Sequence, residues 1–371
     1  MLKTPLLALC FATLTSLCLG NALDHSLSLE VKRALKKGQA YLLQTQSEQG
    51  YWGEPETPAL TGLAVSAIIK GPSLNEQSAQ QVRKALDFLT SNQKPDGGIY
   101  ADEGLLTYNT ALSITAMSEF GDPADKETIL KARRFLVSQQ REGNVESGDE
   151  PFAGGIGYGN SYSHSDLSNT YLALEALKKS EAYLTETDQE PRLDWDAALA
   201  FVSRAQNLTE TNDQEWASND AENKGGFVYF PGNSKAGEVE LENGKIALRS
   251  YGSISYAGLM SLIYADLGVN DPRVKAVKEW ISKNYTLDEN PGMGLQGLYY
   301  YYQAMAKSLN AAGMDQLILE DGTTVAWRDA LGSRLVQTQK PDGSWANENA
   351  RWWETDPLLV TAYVMISLSN L

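Results

Sequence analysis

Two kinds of helix alternate along the chain in its pattern of hydrophobic and polar positions. In "VRKALDFLTSNQ", Val82, Leu86 and Leu89 recur at helical spacing, while charged and polar residues fill most of the other positions. This pattern is typical of a helix that buries one face. The later stretch "YNTALSITAM" is apolar or small on nearly every side, which is typical of a helix buried all round. The pattern therefore predicts outer helices that face water and inner helices that lie in the interior.

A short phrase recurs between the two kinds of helix. "QKPDGGIY" begins at residue 93, "QKPDGSWA" begins at residue 339, and weaker copies bring the total to six. Pro fixes φ and Gly accepts a positive φ, so the phrase predicts a tight turn after each outer helix. The copies are anchored at Gln46, Gln93, Gln140, Gln206, Tyr285 and Gln339. The repetition predicts six pairs of an outer and an inner helix.

Six such pairs can form a closed ring of two concentric layers or an open solenoid. An open solenoid needs polar caps at its ends, whereas the last repeat stays apolar up to Leu371. This favours closure of the last repeat against the first. We therefore predict an all-α fold, an α/α toroid of six outer/inner helix pairs that forms a single domain over residues 23–371.

Three insertions lengthen the later repeats, at residues 141–166, 207–251 and 310–327. Long loops in a compact domain are often functional. The first two connect an outer helix to an inner one, so we expect them to cover the mouth of a central cavity. Residues 227–230, "FVYF", precede a Pro-Gly pair and predict a short strand, so the toroid is expected to carry a small β-hairpin.

The first 22 residues predict a secretory signal peptide. Lys3 supplies a positive end, an apolar run follows from Pro5 to Leu19, and Gly20 and Ala22 are small. An uncleaved membrane anchor is the alternative, but the apolar run is about 15 residues and a bilayer span takes about 20. We therefore expect residues 1–22 to be removed and the protein to be exported to the periplasm or the extracellular space.

Composition limits the chemistry of the processed chain. Both cysteines, Cys10 and Cys18, lie in the predicted signal peptide, so the rest of the chain has no thiol for a disulfide or a metal. The formal net charge of −16 repels phosphate backbones, which argues against nucleic acid as a partner. No cofactor is predicted, and the oligomeric state is left open.

The turn phrase carries a resemblance to a known family. The pattern Gln-x-x-x-Gly-x-Trp is best in "QKPDGSW" at 339–345 and next best in "QSEQGYW" at 46–52. It resembles the repeats of the α/α toroid shared by terpenoid cyclases of the squalene–hopene cyclase type and protein prenyltransferase β subunits. The resemblance covers essentially the whole chain after residue 22. It implies a central cavity and an apolar, isoprenoid-like ligand, although a fold does not fix a reaction.

The resemblance also implies that the inner helices begin at the central cavity. The candidate substrate-binding residues at those positions are Tyr108, Asn109, Tyr256, Tyr299, Trp352 and Trp353. Aromatic faces line apolar pockets and stabilise carbocations, although packing and helix capping are the structural alternative. Successive helical residues point about 100° apart, so one or two tyrosines of the run 299–302 should face the cavity.

Squalene-type cyclases protonate an alkene with an Asp of an Asp-x-Asp-Asp-Thr motif. The corresponding segment here is "DLSNT", in which Asp166 and Thr170 match while Ser168 and Asn169 replace two carboxylates. The catalytic candidates are Asp166, His164 and Asp356. The departure from the motif leaves it open whether the chain is an enzyme. The alternative role for Asp166 is a helix cap, whose charged form the helix N–H groups would stabilise.

Two further function classes follow from the same positions. Protein prenyltransferases hold zinc through Asp, Cys and His, but Val360 stands at the position of the His, so no metal site is predicted. A polysaccharide-active enzyme would need two carboxylates that face each other across a sugar. The carboxylates that could serve are Asp102, Glu103, Asp166, Glu354 and Asp356. A non-catalytic interaction protein is the third class.

Overall fold

The computed structural model describes residues 23–101, 104–143, 151–159, 164–185 and 190–371. Twelve α-helices lie in these ranges. They are α1 (His25–Gln44), α2 (Pro58–Ile69), α3 (Glu76–Ser91), α4 (Leu106–Phe120), α5 (Lys126–Ser138), α6 (Leu167–Lys179), α7 (Trp195–Arg204), α8 (Gly252–Tyr264), α9 (Pro272–Asn284), α10 (Leu298–Ala311), α11 (Trp327–Gln337) and α12 (Pro357–Leu368).

The even-numbered helices form a closed inner ring and the odd-numbered helices lie outside it. Each inner helix packs against the next one in chain order, and α12 returns to pack against α2. Among the outer helices, α1 packs against α11 and thereby joins the two ends of the chain. The predicted α/α toroid of six helix pairs is confirmed.

The hydrophobic pattern explains which helices lie inside. Helix α2 buries every residue except its last, as its uniformly apolar sequence predicts. Helix α1 buries Leu27, Val31, Leu35 and Leu42 at helical spacing and leaves its charged face in water. Burial of one stripe places a helix in the outer layer, and burial all round places it in the inner layer.

The repeated glutamine ties five of the six outer helices to the next one; Tyr285 stands in its place after α9. Nε2 of Gln46 donates hydrogen bonds of 2.9 Å to the carbonyl oxygens of Gly50 in its own turn and Gln81 on α3. The glutamines with the same pair of bonds are Gln93, Gln140, Gln206 and Gln339. The repeat is therefore a hydrogen-bonded crosslink between adjacent helix pairs.

The turn glycines lie where a side chain does not fit. Gly343 has φ +93°, and a Cβ there would lie 2.6 Å from the carbonyl oxygen of Lys37 on α1. Gly97 has φ +95° and would meet Lys131 in the same way at 2.4 Å. The glycine lets each turn approach the backbone of the next outer helix. The positive φ that the turn phrase predicts is therefore confirmed at Gly343.

Two antiparallel hairpins lie in the insertions. Strand β1 (Glu238–Glu240) pairs with β2 (Ile246–Leu248), and β3 (Leu317–Ile318) pairs with β4 (Thr324–Val325). The predicted strand at residues 227–230 is wrong.

The reason lies in the turn that follows this segment. Phe227 forms only an isolated bridge to Gln206, and Phe230 forms one to Asn233. Pro231 has no N–H to donate to a ladder, and Gly232 adopts a positive φ of +85°. The chain therefore reverses at once, and the hairpin forms later in the insertion.

Within the described ranges, no helix combines the length and the apolar character needed to cross a membrane. Residues 1–22, which carry the predicted signal peptide, lie outside the described residues. So do Asp102 and Glu103, two of the carboxylate candidates.

Candidate functional site

A cavity of about 160 Å³ lies on the axis of the toroid, and all six inner helices line it. Its apolar wall consists of Leu63, Leu112, Leu172, Met260 and Ile366. Three tyrosines lie toward one end, and charged side chains lie at the other together with Tyr264. We call it the axial cavity.

Three tyrosines define the first end of the axial cavity. They are Tyr108 on α4, Tyr300 on α10 and Tyr363 on α12. The hydroxyls of Tyr108 and Tyr363 are 3.4 Å apart, and that of Tyr300 is 3.4 Å from Oγ of Ser168. Burial raises the pKa of all three tyrosines, so their hydroxyls stay neutral and can both donate and accept hydrogen bonds.

Two insertions cover the inner helices at this end. The N–H of Thr107 on α4 donates to the carbonyl oxygen of Tyr158 at 3.3 Å, and the N–H of Leu167 on α6 donates to that of Tyr229 at 2.9 Å. Tyr158 belongs to the first insertion and Tyr229 to the second. These contacts agree with the expectation that the two insertions act as a cover.

Asp166 lies beneath this cover and caps helix α6. Its Oδ1 accepts from the backbone N–H of Asn169 at 2.9 Å, and its Oδ2 accepts from Nδ2 of Asn169 at 2.8 Å. Burial nevertheless raises the pKa of Asp166 to about 6, and the hydrogen bonds from Asn169 and Tyr229 offset this only in part. The helix N–H groups favour the charged form of Asp166, as expected, but desolvation is the larger effect, so its proton is harder to lose overall.

His164 lies in the cover rather than on the axis. Its ring centroid is 4.2 Å from that of Phe230 and 6.1 Å from that of Phe152. Burial lowers the pKa of His164. It is not among the residues that line the axial cavity.

The second end of the axial cavity carries a row of ion pairs, in which Glu175 is buried and the other residues are half-buried. We call it the lysine cluster: Lys70, Glu119, Lys179, Glu175 and Lys307. Nζ of Lys70 is 2.5 Å from Glu119, whose carboxylate also binds Lys179. Glu175 pairs with Lys179 at 2.9 Å and with Lys307 at 2.5 Å. Four inner helices contribute these residues near their C-terminal ends.

The ion pairs keep the two carboxylates of the lysine cluster charged. Burial opposes the charge of Glu175, yet Lys179 and Lys307 hold its pKa well below the usual range. Burial also opposes the charge of Glu119, and the neighbouring lysines lower its pKa overall. For Lys70 and Lys307, burial lowers the pKa despite their carboxylate partners.

Sequence reasoning missed the lysine cluster because its residues lie at the opposite ends of the inner helices from those considered. A signal was present, since Glu175 interrupts "YLALEALKK" and Lys307 interrupts "QAMAKSL". A charge inside a helix that is buried all round needs a partner. Opposite charges of this kind on two inner helices therefore indicate an ion pair in the interior.

Four of the predicted binding residues lie among the inner helices, and one of the four lines the axial cavity. Tyr108 lines it. Asn109 accepts a hydrogen bond of 3.0 Å from the N–H of Ala59, and so joins α4 to α2. The rings of Tyr256 and Tyr299 pack against those of Tyr301 and Tyr302, with centroids 5.6 Å apart in both pairs. In the run 299–302, Tyr300 alone is among the lining residues, as expected from the angle between successive residues.

The remaining predicted residues lie away from the axial cavity. Trp352 is 37% exposed and Trp353 is 69% exposed, so the structure places both on the surface rather than in a central pocket. Both have left-handed backbone angles, φ 55° and 60°, which turn them outward. Asp356 accepts a hydrogen bond of 2.8 Å from the N–H of Leu358 and caps α12.

The buried carboxylate of Glu354 is used in a similar way. It accepts hydrogen bonds from the N–H of Tyr300 at 2.8 Å and from Nδ2 of Asn347 at 2.6 Å, which satisfies donors at the start of α10. Glu354 is 1% exposed and Asp166 is 0% exposed. In the described part of the chain, no group of three or more His, Cys, Asp or Glu residues is arranged to hold a metal ion.

The chain was compared with protein-family models, curated proteins and solved structures. No protein-family model matches the chain. Cycloartenol synthase from Dictyostelium discoideum is 30% identical over 112 residues, which are 29% of this chain and 16% of the synthase. The match therefore spans about a sixth of the length of that curated relative.

Solved structures match over nearly the whole chain. Type II terpene cyclase MstE from Scytonema superposes with a TM-score of 0.52 at 13% identity, covering 92% of this chain and 98% of MstE. A wild-type glycosidase superposes with a TM-score of 0.54 at 13% identity, covering 94% and 98%. The chain has a terpenoid-cyclase-like α/α toroid fold, and proteins of unlike activity share it.

Proposed function

We propose that this protein binds a small, largely apolar ligand in the axial cavity. The observation that carries the proposal is the wall of the axial cavity, where Leu63, Leu112 and Leu172 of three inner helices lie with Met260 and Ile366 of two others. Apolar side chains around a cavity favour an occupant that water does not solvate well. The tyrosines at one end supply the few polar groups that typically orient a ligand.

The volume limits the size of the ligand. An apolar cavity of about 150 Å³ in another protein holds one benzene molecule, and the axial cavity measures about 160 Å³. It therefore fits one ring or one branched isoprene unit. A solved variant of MstE holds geranylgeranyl dihydroxybenzoate, whose chain of several isoprene units is much larger. We infer an isoprenoid-like or monocyclic ligand of smaller size.

The tyrosine hydroxyls have unused capacity for a polar atom of the ligand. The separation of 3.4 Å between the hydroxyls of Tyr108 and Tyr363 is long for an O–H···O hydrogen bond, which is usually 2.5–3.0 Å. The same holds for Tyr300 and Ser168. An oxygen atom of a ligand placed between these groups could form shorter bonds than they form with each other.

Binding is better supported than cyclisation. Asp166 lies in the segment that corresponds to the cyclase acid motif, but Ser168 and Asn169 replace the adjacent carboxylates, and burial raises the pKa of Asp166 to about 6. An alkene is a very weak base, so its protonation needs a far stronger acid. We therefore expect no cyclisation of squalene or oxidosqualene. Sugar cleavage is not supported either, because the buried carboxylates of Asp166 and Glu354 are bound to the starts of helices.

The test uses benzyl alcohol as a probe of matching size. The wild-type protein should bind it in isothermal titration calorimetry, and at ten times the Kd the free energy of unfolding should rise by about 1.4 kcal/mol. Leu112→Phe fills the axial cavity and should abolish the binding. Leu29→Phe places the same ring on the outer helix α1, where Leu29 is 44% exposed, and should leave binding unchanged. Equal binding by wild type and Leu112→Phe contradicts the proposal.

A further inference from the structure

The lysine cluster has more hydrogen-bond donors than its carboxylates use. An ammonium group has three N–H donors. Among the described residues, Lys70 pairs with Glu119 alone, and Lys307 pairs with Glu175 alone. The ammonium of Lys307 also lies 5.1 Å from the centre of the Tyr171 ring. Because both lysines line the axial cavity, their remaining donors are available to an occupant.

The lysine cluster also has an unbalanced charge. Three ammonium groups face two carboxylates, which leaves one positive charge in a largely buried place. Lys70 is the C-cap of α2 and Lys179 is the last residue of α6, so the carbonyl groups at these helix ends stabilise their charges. Lys307 lies a full turn before the end of α10 at Ala311. The carbonyl groups at the end of its own helix therefore stabilise its charge less. Its side chain is only 13% exposed.

We propose that the ligand of the axial cavity is a small amphipathic carboxylate, either aromatic or short and branched. Its carboxylate binds the ammonium groups of Lys70 and Lys307, and its apolar part lies among Leu63, Leu112 and Leu172. One carboxylate brings the lysine cluster to electrical balance and uses the remaining donors in charge-assisted hydrogen bonds. This inference rests on the proposed function and adds a charged group to the ligand at the end of the axial cavity opposite Tyr108, Tyr300 and Tyr363.

Benzoate and benzyl alcohol test the inference because they share a ring and differ in charge. The wild-type protein should bind benzoate at least tenfold more tightly than benzyl alcohol in titration calorimetry. Lys307→Met removes the charge but keeps a side chain of similar length. It should lower the affinity for benzoate at least tenfold, while the affinity for benzyl alcohol changes less than twofold. Lys178→Met is the matched control, since Lys178 lies next to the cluster in sequence but pairs with Asp266 at the surface.

Two further variants test whether the preference for benzoate depends on the lysine charges. Lys307→Arg keeps the charge and should keep the preference for benzoate. If Lys307→Met does not fold, Lys70→Met should show the same selective loss. Benzyl alcohol bound as tightly as benzoate overturns this inference and leaves the proposed function standing. A preference for benzoate that survives in both methionine variants also overturns it. If neither probe binds, the proposed function fails as well.

Discussion

Nε2 of Gln339 donates a hydrogen bond of 2.9 Å to the carbonyl oxygen of Ala34, 305 positions earlier in the chain. Gln339 follows the last outer helix and Ala34 lies within the first. The same Nε2 also donates to the carbonyl oxygen of Gly343 at 2.9 Å. The bond that links neighbouring repeats elsewhere is thus used here to join the two ends of the ring.

Loss of this closing bond should destabilise the protein. Gln339→Ala removes two hydrogen bonds of about 0.5–1.5 kcal/mol each, so the free energy of unfolding should fall by about 1–3 kcal/mol in urea titration. Gln337→Ala is the control, because Gln337 is an exposed residue at the end of the same helix. Equal stability of the two variants would show that the closing bond contributes nothing.

The turn glycine of the last repeat should be equally sensitive. Gly343→Val combines a positive φ with a contact of 2.6 Å to the carbonyl oxygen of Lys37, and should lower the free energy of unfolding by about 1–3 kcal/mol. Gly322→Val tests the backbone effect alone, since Gly322 has φ +84° with nothing within 4 Å of a Cβ. Gly343→Val should be the more damaging of the two, as measured by thermal unfolding. The reverse order would contradict the close approach of turn and helix.

Asp166 should make stability depend on pH. Its folded pKa of about 6 lies above its usual value of 3.8, so the folded state binds the proton more tightly than the unfolded chain. The stabilisation of the folded state by this proton is complete below pH 3.8 and is lost as the pH rises through 6. The shift corresponds to about 3 kcal/mol for this fully buried group.

The variant Asp166→Asn removes this titration. At pH 7 it should change the free energy of unfolding by no more than about 1–2 kcal/mol, the scale of a helix cap. Between pH 4 and 7, the wild-type protein should lose stability relative to Asp166→Asn by roughly the free energy that corresponds to its pKa shift. Denaturant titrations at several pH values measure both quantities. Parallel pH profiles of the two proteins would show that Asp166 is not desolvated.

Removal of one carboxylate from the lysine cluster should strongly lower the stability of the protein. Glu175→Gln leaves Lys179 and Lys307 with too little negative charge in a buried place, and should lower the free energy of unfolding by about 3–5 kcal/mol. Glu127→Gln breaks the surface pair with Lys131 and should have no measurable effect. If Glu175→Gln is as stable as Glu127→Gln, the ion pairs of the lysine cluster are not what holds these charges in the interior.

The sequence was sufficient to predict the architecture because the architecture is repeated. Gln46 and Gln339 occur in nearly the same phrase, and the alternation of one-sided and all-round apolar helices is regular. The strand predicted at residues 227–230 failed for a local reason, since Pro231 and Gly232 end the extended segment at once.

The site was harder to predict because it depends on which end of each inner helix faces open space. Tyr108 was identified, but Trp352 and Trp353 turn outward through left-handed backbone angles that nothing in their side chains requires. The lysine cluster is assembled from four helices far apart in sequence. Lys179 follows Lys178 at the end of α6, where two lysines ordinarily indicate a solvated helix end.

The most direct test of the central claim is a crystal structure of the wild-type protein soaked with bromobenzene, read from the anomalous signal of bromine. The middle of the axial cavity has an apolar wall, and its volume is close to that of a cavity that holds benzene. We expect a bromine peak between Leu63, Leu112 and Leu172, and none there in Leu112→Phe. Well-ordered wild-type crystals with no peak on the axis, or with peaks only at the surface, would contradict the claim that the axial cavity is a ligand site.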